Sequence, residues 1–291
     1  MRLPSTPARP SAFSAWTCRL VVGGAFFAAA NGAAAPAVQV AAHRGGALLW
    51  PENSLLAFRN AIALGVDMLE TDVHLTADDE VVVLHDPTLD RTTTGRGAVR
   101  DARLADLAPL RLRAADGTPS GEPIPTLAQV LDLVATARGV GLLLEIKVDA
   151  RRGRYPGIEE KALALVRARG LLDRTPIMAF QPETVRRVRE LEPAARTVLL
   201  VSRGRTERER ADPSEAVRLA QEAGAAWLGI NHRLLDADVV AAARRAGVKV
   251  AAWTVDHEGD IRRVLDLGVD VVISDRPDLA LRLAGRAPRT P

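Results

Sequence analysis

From residue 38 onward, short apolar runs alternate with segments whose apolar positions recur every three or four residues. Val38 to Ala42 predicts a strand. Leu55, Phe58 and Ile62 share one face of a helix that Asn53 can cap and Gly65 stops. Met68 to Leu75 predicts a second strand, and Glu80 to Leu84 a hairpin partner joined to it by the polar Ala77-Asp78-Asp79 turn. Thr126 and Gln129 have capping-box spacing ahead of a helix. Strands follow at Gly141–Lys147, Pro176–Phe180, Arg196–Val201, Trp227–Ile230, Lys249–Val255 and Val271–Ser274. Helices stop at Gly170, near Gly224, and at Gly247 and Gly268; others start at Pro182, Asp212-Pro213, Asp236 and Pro277. With the hairpin strand set aside, eight strand–helix units remain. They imply an α/β fold, a parallel sheet closed into a (β/α)8 TIM barrel over residues 38–284. An insertion after strand two spans 75–125; its part from 86 on is rich in Pro, Gly and polar residues and reads as having little regular structure. Residues 285–291 read as a frayed tail. Leu64-Gly65-Val66-Asp67 and Leu267-Gly268-Val269-Asp270 repeat one device, a helix stop that launches a strand at the bottom of the barrel.

Residues 1–37 break the pattern. Arg2, Arg9 and Arg19 precede an apolar run from Leu20 to Ala30, and Ala35-Pro36-Ala37 offers a small-residue cleavage site before Val38. That is the layout of a secretory signal peptide, and the run is shorter than the ~20 residues of a spanning helix. The expected location is periplasmic or secreted, with no stable membrane insertion after leader cleavage. The leader's arginines account for the whole formal charge of +3, so the remainder is balanced and gives no support for nucleic-acid binding. The only cysteine, Cys18, also lies in the leader, so the mature chain has no disulfide framework.

The polar residues that interrupt this scaffold fall at strand ends, where barrels of this kind keep their chemistry. His43-Arg44 follow the first strand, Glu70 and Asp72 lie late in the second, Glu145 and Lys147 end the third, Phe180 the fourth, and Trp253 the seventh. Residues two apart on a strand face the same way, so Glu70 pairs with Asp72, and Glu145 with Lys147. Three carboxylates gathered inside a barrel repel one another unless a cation joins them, and an all-oxygen set favours a hard ion, Ca2+ or Mg2+. Arg44 can hold phosphate oxygens in a fork and Lys147 offers a point charge. His43 and His85 suit a base for the attacking oxygen and an acid for a leaving alkoxide. His74, His232 and His257 lack convergent partners and read as structural. Together these residues point to metal-assisted cleavage of a phosphodiester.

His43-Arg44-Gly45, Pro51-Glu52-Asn53-Ser54, Glu70-Thr71-Asp72-Val73, Val83-Leu84-His85-Asp86, Glu145-Ile146-Lys147 and Trp253-Thr254-Val255 occur in this order. From about Val40 to Pro277 the chain resembles the glycerophosphodiester phosphodiesterase family. The resemblance implies a TIM barrel with an insertion after strand two and metal ligands at Glu70, Asp72 and Glu145. It also implies an acid/base pair at His43 and His85, phosphate contacts from Arg44 and Lys147, and a substrate-lining Trp253; Glu52 and Phe180 are counted with the substrate-binding set. Ser54, where Thr is common, and Asp256, where Asn is common, depart from the pattern without touching that chemistry. Leu89-Asp90-Arg91-Thr92-Thr93 reads as a segment that orders the loop. The implied substrate is a small glycerophosphodiester, cleaved to glycerol 3-phosphate and an alcohol. Two rivals are a barrel phospholipase acting on intact lipids, which an apolar rim loop would favour, and a non-catalytic binding barrel, which loss of a histidine or carboxylate would favour.

Overall fold

The structure, a computed structural model, describes residues 37–202 and 213–287. The leader, apart from Ala37, lies outside the described residues, as do Asp212 and the last four residues of the tail. Among the described residues there are nine strands, interspersed with helices: β1 (Gln39–Ala42), α1 (Leu55–Leu64), β2 (Met68–Leu75), β3 (Val81–Val83), α2 (Leu104–Leu107), α3 (Leu127–Thr136), β4 (Gly141–Ile146), α4 (Ile158–Ala168), β5 (Ile177–Ala179), α5 (Pro182–Leu191), β6 (Thr197–Val201), α6 (Pro213–Glu222), β7 (Trp227–Asn231), α7 (Ala237–Arg245), β8 (Lys249–Trp253), α8 (Glu258–Leu267), β9 (Val271–Ser274) and α9 (Pro277–Leu283). Eight of the strands pair in parallel, and β1 pairs with both β2 and β9, which closes the barrel.

β3 is the exception, and it has a purpose. The lower part of β2 pairs with β1 through Met68 and Leu69, whereas the upper part, Val73 to Leu75, pairs antiparallel with β3. Leu84 then donates its N–H to the Asp72 carbonyl at 3.1 Å, which delivers the following residue, His85, to the upper rim of the barrel.

The barrel interior changes character along each strand. Ala41, Met68, Leu143, Met178, Ala251 and Ile273 belong to one buried apolar cluster inside it. Two residues further along the same faces stand His43, Glu70, Glu145, Phe180, Trp253 and Asp275. A second, larger core, with Phe58, Leu69, Val73 and Leu131, fills the layer between sheet and helices.

Local signals explain the helix ends. Thr126 and Gln129 form the expected capping box, Asp236 accepts from the Val239 N–H at 2.9 Å, and Pro182 and Pro277 open their helices. The cap of α1 is a correction: Ser54, not Asn53, accepts from the Ala57 N–H, at 2.9 Å. Asn53 is a buried residue in left-handed backbone (φ 59°) with its amide turned toward β2. The insertion is also more ordered than its composition suggests. Leu84, Leu89, Val99, Leu107, Leu112 and Ile124 form a small core of their own, beside a 3-10 turn and α2. Nor does the tail fray at its start: Arg286 donates to Asp67 Oδ1 at 2.8 Å.

The repeated device at the barrel bottom is a strand clamp. Gly65 and Gly268 end their helices in left-handed backbone. Asp67 Oδ2 then accepts from the Val40 N–H at 2.7 Å, and Asp270 Oδ2 from the Val250 N–H at 2.8 Å. Each aspartate ties the start of the neighbouring strand.

Candidate active site

Strand register sets the geometry. Ala42 lies opposite Leu69 and Ser274, so His43, the next residue, comes beside Glu70 on one side and Asp275 on the other. Asp72 lies opposite Glu145. The result is a cavity of about 410 Å3, including its open mouth, at the C-terminal end of the barrel, lined by His43, Glu70, His85, Glu145 and Lys147 on one side and by Phe180 and Trp253 on the other.

The turn after β1 is built by backbone conformation. Arg44, Gly45 and Gly46 all have positive φ (50°, 82° and 103°). At Gly45 a Cβ would lie 2.7 Å from the Ala57 Cβ, so only glycine lets the turn sit on α1. The turn aims the Arg44 N–H at Glu70 Oε2, 2.8 Å away. The Arg44 side chain folds over the site, with Nη1 donating to Glu52 Oε1 at 3.1 Å and Nε 3.6 Å from Asp72 Oδ2. Asn53 completes the seam: its Nδ2 donates to Asp72 Oδ2 at 2.9 Å and its Oδ1 accepts from Thr71 at 2.9 Å.

Each of the two expected histidines is oriented by an aspartate through Nδ1. His43 Nδ1 lies 2.7 Å from Asp275 Oδ1, and His85 Nδ1 lies 2.7 Å from Asp86 Oδ1. Such a bond fixes the tautomer and leaves Nε2 for chemistry. Burial alone would lower the pKa of His43, but the Glu70 carboxylate and the Asp275 hydrogen bond more than reverse this and raise it. Asp86 is held well below the usual carboxylate range by hydrogen bonds from Arg91 and His85. Arg91 bridges Asp86 and Glu52 with bonds of 2.7–2.9 Å, so the loop-ordering role read for its segment is visible here. Glu52 is therefore tied to two arginines and lies outside the 410 Å3 cavity.

Asp275 is the functional partner the sequence reading missed. It lies 232 residues from His43. Its signal was a charged residue directly after the last strand. Asp256 supports it in turn, its Oδ1 accepting from the Asp275 N–H at 2.8 Å and from Ser274 at 3.2 Å. His74, read as structural for want of partners, has two. Its Nδ1 lies 2.9 Å from the Tyr155 hydroxyl and its Nε2 3.1 Å from the His85 carbonyl. Burial pushes its pKa down to about 4, so it is a neutral brace beneath His85.

Glu70, Asp72 and Glu145 are buried, and each offers an oxygen within 4.8 Å of the others. Lys147 Nζ lies 2.8 Å from Glu145 Oε1 and 3.3 Å from Asp72 Oδ1, and supplies one positive charge against three negative ones. Burial, then repulsion from Asp72, pushes Glu70 up to about 8, and burial raises Glu145 although Lys147 opposes it. Asp72 stays ionised, because Lys147 and the neighbouring cationic groups outweigh its burial. Its Oδ1 is buried and accepts no hydrogen bond. A divalent cation fits this donor set: it would balance the residual charge of the four groups, engage that oxygen, and let Glu70 ionise. At the opposite wall Phe180 and Trp253 meet edge to face, with centroids 5.5 Å apart, and present an apolar surface.

A model of the glycerophosphoryl diester phosphodiesterase family matches residues 43–279. A glycerophosphodiester phosphodiesterase of Caldanaerobacter subterraneus subsp. tengcongensis is 34% identical over 245 residues, covering 84% of this chain and 96% of its own. One from Bacillus subtilis is 31% identical over 253 residues, covering 82% and 83%. Among solved structures, that of an Oleispira antarctica phosphodiesterase in complex with the product sn-glycerol-3-phosphate is similar with a TM-score of 0.69 at 27% identity, covering 85% of this chain and 96% of that one. The chain belongs to the glycerophosphoryl diester phosphodiesterase family.

Proposed function

We propose that this protein hydrolyses glycerophosphodiesters to glycerol 3-phosphate and a free alcohol, with a divalent cation, Ca2+ or Mg2+, held by Glu70, Asp72 and Glu145. One observation carries the reading: two aspartate-oriented histidines face one cavity across a buried three-carboxylate cluster. When bound, the cation supplies charge stabilisation at the phosphoryl oxygens. Arg44 and Lys147 hold the phosphate from the same side, and the Phe180–Trp253 wall takes the glycerol carbons. With Nδ1 engaged by Asp275 and Asp86, His43 and His85 present Nε2 to the reacting phosphate. Between them they take the proton of the attacking oxygen and return one to the leaving alkoxide. Arg44 Nη1 is already committed to Glu52, so Glu52 holds the guanidinium in place. The basic start, apolar run and Ala35-Pro36-Ala37 site favour export, with a periplasmic or secreted mature chain beginning near Val38.

Glycerol 3-phosphate release from glycerophosphocholine tests this reading. Activity is expected with Ca2+ or Mg2+ and to vanish in chelator. Full activity of the metal-stripped protein would remove the cation from the account, and no release under any metal would remove the reaction.

A further inference from the structure

A second cavity, of about 840 Å3 including its open mouth, adjoins the first and shares Arg44 with it. Its walls come from the β1 turn and Glu52, from Asp275, and from the insertion at Arg91, Thr92, Arg113 to Ala115 and Gly117. The insertion, which carries its own small core, thus walls a cavity that meets the first at Arg44.

The charges of this cavity are unequal. Arg44, Arg91 and Arg113 line it against Glu52 and Asp275. Both carboxylates are already used, Glu52 by Arg44 and Arg91, and Asp275 by His43. Arg91 is consumed by Glu52 and Asp86. Arg113 is different. Its Nε donates to the Thr93 carbonyl at 2.8 Å and its Nη1 to the Gly117 carbonyl at 2.8 Å, and among the described residues it has no ion-pair partner. Two backbone carbonyls therefore fix the guanidinium without neutralising it. Asp116, on the same turn, is exposed and folds back onto Thr118 at 2.7 Å. The exposed Leu48 gives the mouth an apolar edge.

We propose that this cavity is the subsite for the leaving alcohol, and that Arg113 makes it prefer alcohols bearing an anionic group, a carboxylate or a phosphate, over cationic ones such as choline. The inference rests on the proposed hydrolysis. A diester bridging the two cavities has its phosphate at Arg44, its glycerol against the Phe180–Trp253 wall, and its alcohol beside Arg113. A guanidinium held in place has little ordering entropy left to lose when it meets an anion, and the forked geometry suits carboxylate and phosphate oxygens. A quaternary ammonium at the same point meets a cation, and the two lining carboxylates, Glu52 and Asp275, are already paired.

The test uses the full mature chain, saturated with metal, and three matched diesters: glycerophosphoglycerate (acidic), glycerophosphoglycerol (neutral) and glycerophosphocholine (cationic). For one charge-assisted hydrogen bond, the acidic diester should exceed the neutral one about tenfold in kcat/KM, with the cationic one lowest. Arg113→Gln should lower the acidic-to-neutral ratio about tenfold, and Arg113→Lys should restore part of it. Ala115→Asp, on the exposed cavity wall, leaves Arg113 intact and should lower the same ratio, which guards against Arg113→Gln failing to fold. Equal kcat/KM for all three diesters in the natural chain, or an Arg113→Gln loss shared equally by all three, would overturn the subsite. Absence of glycerol 3-phosphate from every diester would instead overturn the proposed reaction.

Discussion

The two ends of the barrel use the same chemical group, the carboxylate, for opposite purposes. At the bottom, Asp67 and Asp270 accept strand N–H groups, and Asp67 also pairs with Arg286. Each is satisfied where it stands, and each holds two strands together. At the top, Glu70, Asp72 and Glu145 are crowded within 4.8 Å, and two of the three are pushed toward protonation. Carboxylates met by backbone donors stabilise a fold; carboxylates aimed at one another store a need for a cation. Rupture at the two ends should therefore show in different measurements.

The largest effects belong to the top. His43→Ala and His85→Ala should each lower kcat on the order of 10²–10⁴-fold, the usual size of a lost acid or base, with the melting temperature little changed. Steady-state kinetics together with a melting curve separates this from unfolding. Loss of the brace comes next. His74→Phe removes the partner of the His85 carbonyl and of Tyr155, and should lower kcat roughly 10–10²-fold through misplacement of His85, with KM less affected. A kcat within twofold of normal would leave His74 merely structural.

Much of this arrangement was legible in the sequence. Period-two spacing put Glu70 with Asp72 and Glu145 with Lys147, and the alternation of strands and helices gave the barrel. What stayed hidden depended on closure. Asp275 meets His43 only because β9 returns beside β1. His74 could not be read as a brace, because its partner Tyr155 lies beyond β4 in a loop with no strand or helix pattern. Asn53 was misread because a buried amide that bonds β2 and a helix cap use the same residue type. The insertion's small core escaped because its apolar residues, such as Leu89, Val99 and Leu112, follow neither helical nor strand spacing.

Two smaller effects sharpen the contrast between the ends. Asp67→Ala should cost roughly 2 kcal/mol of stability by removing charge-assisted bonds to Val40 and Arg286, while kcat per folded molecule stays unchanged. Glu70→Gln should do the reverse. Near neutral pH the metal-free fold must keep on Glu70 a proton that the unfolded chain releases, and Gln removes that cost, so the melting temperature of the metal-free protein should rise by roughly 2–4 °C, the shift that about 1 kcal/mol gives in a domain of this size, while metal affinity falls. Differential scanning calorimetry in chelator reads both. A Glu70→Gln melting point below that of the natural chain would mean the upper cluster is not strained.

The most direct test of the upper cluster is calorimetric titration of Ca2+ or Mg2+ into the chelator-treated protein across a pH series. Metal-free Glu70 keeps its proton up to about pH 8, so a bound cation must displace it. One cation per chain is expected, with an affinity that strengthens about tenfold per pH unit as pH rises toward 8 and levels off above it. In Glu70→Gln the binding should be much weaker. Binding of equal strength in Glu70→Gln and the natural chain, or no binding at all, would contradict the claim that the three carboxylates form a cation site.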